Sequence, residues 1–107
     1  MVVVVFRTRP IAGVDEQALT ALGEQMYAIA AAMPGFLSYK DFAAADGEYV
    51  SLVEFESPET LEAWRRHPAH LAAQEQGRQK FFSAYRVQVC APIRSYRYAD
   101  GVRRDLD

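Results

Sequence analysis

The chain has 107 residues, half of them hydrophobic, and a formal net charge of −2. That length suits one domain, and near-balanced charge with no basic stripe argues against nucleic acid as a partner. The apolar opening Val2–Phe6 runs straight into Arg7 and Arg9, too short for a secretory core segment, and no run reaches the roughly 18 apolar residues a membrane helix requires. A single cysteine, Cys90, excludes an internal disulfide framework and fits a reducing cytoplasm. Lying in an apolar run, it reads as a small buried hydrophobe.

Val2–Arg9 is β-branched, ends at Pro10 and reads as a first strand. Asp15 is placed to cap a long helix. Along it Leu19, Leu22, Met26, Ile29 and Met33 recur at spacings of 3, 4, 3 and 4, which puts them on one face. Pro34-Gly35 ends that helix. Phe36–Ala45 and Glu48–Glu56 read as a hairpin closed at Asp46-Gly47, a dipeptide suited to a type I′ turn. Ser57-Pro58 opens a second helix, with Ser as cap and Pro at the first helical position. It ends near His67, because Pro68 disfavours helical geometry in the residue before it. Pro68 in turn starts a third helix running to about Phe81. Tyr85–Tyr98 reads as a long last strand with Tyr85, Val87, Val89, Ala91 and Ile93 on one side. Residues 1–98 then form the domain, and 99–107 a polar, frayed tail.

The resulting order, β-α-β-β-α-α-β, lacks βαβ repetition. It favours an α+β fold with the helices on one face of an antiparallel sheet. The first strand is apolar on both sides, Val3 and Val5 as well as Val2, Val4 and Phe6, whereas a sheet with one wet face alternates more cleanly. Nothing remains in the chain to cover the second face, so a second copy of the same sheet is expected there, making a homodimer.

The element order, the Met33-Pro34-Gly35-Phe36 turn and the stretches LVEFESPETLEAW and HPAHLAAQEQGRQKF together resemble the antibiotic biosynthesis monooxygenase family, over roughly residues 2–98. The resemblance implies a ferredoxin-like unit that pairs into a dimeric α+β barrel, with a pocket between helices and sheet in each subunit. Similar proteins include cofactor-independent oxygenases of anthrone-like polyketides, quinol oxygenases and haem-degrading oxygenases.

The only Trp and both His of the chain, Trp64, His67 and His70, lie within seven residues. A metal site is disfavoured: Pro68 separates the two His, H-E-x-x-H is absent, and a catalytic zinc requires about three protein ligands. Haem is disfavoured by the resemblance. Trp64 stands where haem-degrading members have their Trp, but Gln74 replaces their axial His and Phe6 their first-strand Asn. The favoured reading is a pocket for a planar aromatic substrate, with O2 as co-substrate and no cofactor. Trp64 offers an apolar face, and His70 stands where anthrone-oxidising members carry a Tyr. The expected catalytic residues are His70, as base, and Trp64. The expected substrate-binding residues are Phe6, His67, Gln74, Phe81 and Arg86. Beside these stand plainer readings: Trp64 lies three residues after Leu61 at core spacing, and His67 can serve only as a cap. Leu71 and Ala72 are then candidates to pack the third helix. A non-catalytic binding barrel is the alternative function.

Overall fold

In a computed structural model describing residues 1–106, four strands form one antiparallel sheet. They are β1 (Val2–Pro10), β2 (Phe36–Ala43), β3 (Tyr49–Phe55) and β4 (Phe82–Cys90), in the spatial order β2-β3-β1-β4. The helices α1 (Glu16–Ala31), α2 (Pro58–Arg65) and α3 (Pro68–Gln76) pack on one side, and the fold is ferredoxin-like α+β. Among the described residues no helix is long and apolar enough to cross a membrane.

Local chemistry explains most of these boundaries. The Asp15 carboxylate accepts the Ala18 N–H at 3.0 Å and starts α1. Ser57 and Thr60 form a reciprocal capping box at the start of α2, with Pro58 at its first position. Pro68 starts α3, and His67 Nδ1 accepts the Ala69 N–H at 3.1 Å. Gly35, with φ of +80°, lies where a β-carbon would sit 2.5 Å from Thr60 Cγ2. Only glycine lets the start of β2 pass so close to the α2 cap.

The β2–β3 hairpin is present, but its turn differs from the expected type I′. Ala44 accepts from Gly47 at 3.1 Å, and of the loop residues only Gly47 takes a positive φ. This is a three-residue loop ending in a left-handed glycine, because Asp46 spends its carboxylate on the Glu48 N–H. The two-residue turn with both central residues left-handed occurs instead at Asp100-Gly101, with φ of 54° and 77°. It joins β5 (Tyr96–Ala99) to β6 (Val102–Asp105).

The C-terminal end therefore departs from expectation. The single strand 85–98 is two: β4 stops at Cys90, before Ala91-Pro92, and residues 96–105 form a separate hairpin arm rather than a frayed tail. Proline at 92 cannot donate to a ladder, which breaks the strand. Cys90 is exposed rather than buried, because β4 is an edge strand with little above its last residues.

Two apolar clusters hold the layers together. Val2, Val4, Ala30, Val53, Phe55, Leu61 and Trp64 join the sheet to α1 and α2. Leu22, Ala73 and Phe81 join α1 to α3 and the turn that follows it. The buried side of α3 carries His70 and Ala73, while Leu71 is half exposed and Ala72 is exposed, contrary to the packing expected of those two.

Candidate active site

Side chains alternate along a strand, so the register assigns each floor residue to a face. Val4, Phe6 and Thr8 of β1 look toward the helices. Beside them stand Val53, Ser51 and Tyr49 of β3, and Val89, Val87 and Tyr85 of β4. Tyr39 and Asp41 extend the rows onto β2. Together they floor a cavity of about 890 Å³, roofed by α1 and walled by Trp64 of α2 and by His70 and Gln74 of α3. The floor is graded. It is apolar near Val4 and Val53 and polar toward Thr8, Tyr49 and Ser51, whose hydroxyl donates to Asp41 at 2.5 Å. Tyr85 and Phe82 set their rings edge-on to Phe6 at 5.6 and 6.1 Å.

The wall is an aromatic stack. Trp64 lies against Phe55 with ring centroids 5.4 Å apart and an angle of 25°. The His70 imidazole is 4.4 Å from the indole, tilted by 53°. Trp64 is 5% exposed, and its indole Nε1–H is buried with no hydrogen-bond partner among the described residues. Trp64 is thus both core and cavity wall.

His70 is 3% exposed, with Nδ1 3.3 Å from the Arg65 carbonyl. A carbonyl only accepts, so Nδ1 carries the proton and Nε2 keeps its lone pair. That Nε2 has no hydrogen-bond partner among the described residues. Burial pushes the imidazole pKa below its ordinary value, against the opposing effect of the Arg65 carbonyl. The ring is therefore neutral near pH 7, on the wall of the cavity. Tyr39 is shifted up, by burial first and by the Asp41 charge second, and stays a neutral hydroxyl.

Of the residues anticipated, Phe6, Trp64, His70 and Gln74 line the cavity together. Three do not. His67 is the α3 cap, its Nδ1 taken by Ala69 N–H. Phe81 is 8% exposed and belongs to the core cluster with Leu22 and Ala73. It ends a π-helical turn, Gly77–Phe81, whose wider i→i+5 winding defeats a spacing argument based on 3.6 residues per turn. Phe82, one residue on, lines the cavity instead. Arg86 pairs with Arg7 on the opposite face of the sheet, because Tyr85 and Val87 are the floor residues of β4. Conversely Thr8, Ser51, Asp41 and four tyrosines (Tyr27, Tyr39, Tyr49, Tyr85) reach the cavity without having been singled out as site residues. Alternation along β1 could have found Thr8, two residues beyond Phe6. Among the described residues no three His, Cys, Asp or Glu side chains group as a metal site.

Residues 1–76 match the antibiotic biosynthesis monooxygenase family. The chain belongs to that family. Over 66 residues it is 36% identical to YqjZ, an uncharacterised protein of Bacillus subtilis; these are 62% of this chain and 58% of that one, so the match spans little more than half of YqjZ. The fold superposes on Rv0793 of Mycobacterium tuberculosis with a TM-score of 0.76 at 30% identity, covering 86% of this chain and 94% of that one. It also superposes on SnoaB, a cofactor-independent oxygenase of Streptomyces nogalater (its N63A mutant), with a TM-score of 0.77. Identity there is 14%, over 88% of this chain and 94% of SnoaB, a likeness of fold alone.

Proposed function

We propose that this family member is a cofactor-independent monooxygenase of a planar aromatic small molecule of anthrone or quinol type. The observation that carries the reading is the pairing of Trp64 and His70 on one cavity wall, with a free indole donor beside an imidazole whose Nε2 lone pair is unused. The indole N–H suits a ring carbonyl or phenolate oxygen of the ligand. His70 Nε2 takes a proton from the activated carbon or from a phenol conjugated to it. The carbanion so formed passes one electron to O2, the two radicals combine as a peroxide, and loss of water leaves a new carbonyl. Substrate CH2 and O2 thus become C=O and H2O, with the His70 proton returned to the departing water. The apolar floor and the Phe55–Trp64 stack hold a flat ring system and keep the carbanion dry.

The same reading includes a homodimer. On the face away from the helices Val3, Val5, Val50 and Leu52 are only half buried and Phe42 is 47% exposed, which makes an apolar surface. A second sheet stacked there would cover it. A monomeric mass by light scattering at micromolar protein would refute this part.

The enzymatic part is tested by oxygen consumption over a panel of anthrones and dihydroxynaphthalenes. Uptake with one of them that is lost in His70→Ala is the expected result. Tight binding of a planar ligand with no uptake across the panel would overturn turnover and favour a binding protein.

A further inference from the structure

We propose that Gly23 sets the size of ligand the cavity accepts, leaving space for a fused three-ring system. The inference rests on the cavity being an aromatic-ligand site. Gly23 is the eighth of the sixteen residues of α1, where glycine costs about 1 kcal/mol relative to alanine. Such a cost usually has a local cause. A positive φ requires glycine at Gly35, and a β-carbon at Gly77 would stand 2.7 Å from the Phe82 ring. Neither cause operates at Gly23. Its φ is ordinary, and a β-carbon there would meet nothing within 4 Å. The free space is the cavity: Gly23 lines its roof, between Leu19 one turn before and Tyr27 one turn after. The helix thus gives up stability at a roof position, among side chains such as Leu19, Met26 and Tyr27 that already line the cavity, where one more side chain would take up its free space and narrow the slot. A single ring does not require that width. A wide polycyclic ligand held against Trp64 while reaching across the floor does, since the floor's four strands span about 14 Å.

The test uses Gly23→Ala and Gly23→Leu, with melting followed by circular dichroism and binding followed through the fluorescence of Trp64, the only tryptophan. The probes are 1,8-dihydroxyanthraquinone, with three rings, and 4-hydroxyacetophenone, with one. Without ligand, Gly23→Ala is expected to raise Tm by about 2–6 °C, because the helix gains and nothing clashes. Gly23→Leu is expected to weaken the three-ring probe by roughly 10- to 100-fold and the one-ring probe by less than about threefold. Should the leucine variant not fold, the alanine variant still carries the test, through an expected loss of about two- to fivefold for the three-ring probe only. A fall in Tm for Gly23→Ala, or equal effects on the two probes, overturns the proposal. If wild type binds neither probe, the aromatic-site reading itself fails and takes this inference with it. Wild-type binding without discrimination by the variants refutes the role of Gly23 alone.

Discussion

Replacing Trp64 by phenylalanine separates a core role from a site role. The indole is 5% exposed and stacked on Phe55, so the smaller ring removes roughly 40 Å³ from a packed position, a cavity cost of about 1 kcal/mol. Lost apolar burial of roughly 50 Å² adds about 1 kcal/mol more. Against this, the substitution deletes an indole N–H that is buried without a partner, relieving about 1–3 kcal/mol of uncompensated desolvation. The two sides nearly cancel, so Trp64→Phe should change stability by no more than about 1 kcal/mol. Ligand affinity should respond differently: a ring-carbonyl ligand loses its donor, and with it about tenfold in Kd. Urea unfolding followed by circular dichroism at equal protein concentration measures the first quantity, and calorimetric titration with 1,8-dihydroxyanthraquinone the second. A loss of more than about 3 kcal/mol with unchanged affinity would refute the reasoning, since it would mean that the indole N–H is already satisfied in the empty protein and that Trp64 serves packing alone.

Acid should destabilise the protein through His70. Its folded pKa lies below the unfolded value of about 6.5, so as pH falls from there toward the folded pKa the unfolded chain takes up a proton the folded one refuses. That contribution is complete above about pH 6.5 and lost beneath it, and urea titrations across this window should show a shallower slope for His70→Gln than for wild type. Gly35→Ala should cost about 2–4 kcal/mol, because it combines a left-handed φ with a 2.5 Å contact to a Thr60 side chain fixed by the capping box, and chemical denaturation would reveal a smaller loss as an error in this account. Ser57→Ala should lower stability by about 1 kcal/mol through loss of that cap, visible as a drop in Tm of a few degrees. Leu52→Glu, on the face away from the helices, should convert a dimeric mass to a monomeric one in light scattering while leaving circular dichroism unchanged; a dimer that persists would put the interface elsewhere.

Local chemistry was legible in the sequence wherever one residue or one dipeptide decides the geometry. Asp15, Ser57-Pro58 and Pro68 start the three helices where their side chains and fixed φ angles require, and the periods of 2 and 3.6 place the apolar faces. The family is legible for the same reason, since its motifs are these caps and turns with the core residues between them. What failed locally did so where two outcomes lie close in energy. Asp-Gly supports a type I′ turn or a longer loop alike: the second forms at Asp46-Gly47, where the Asp46 carboxylate takes the Glu48 N–H, and the first at Asp100-Gly101. The π-helical turn at Gly77–Phe81 leaves no signal in a count based on 3.6 residues, and so Phe82 lines the cavity where Phe81 was expected.

The sequence by itself determined the elements, their faces and the presence of Trp64 and His70 near one another across Pro68. Only tertiary structure decided which side chains share a cavity, because a cavity is a relation among elements remote in the chain. Six tyrosines look alike in the sequence. Tyr39, Tyr49 and Tyr85 meet beneath α1, opposite Tyr27 of that helix, because β2, β3 and β4 are laid side by side through β1, and two stand apart on the β5–β6 arm because Pro92 ends the sheet before them. Arg86 and Tyr85 are neighbours in the chain and lie on opposite faces of the sheet. The strand period makes that certain, but which of the two faces holds the site depended on where the helices pack.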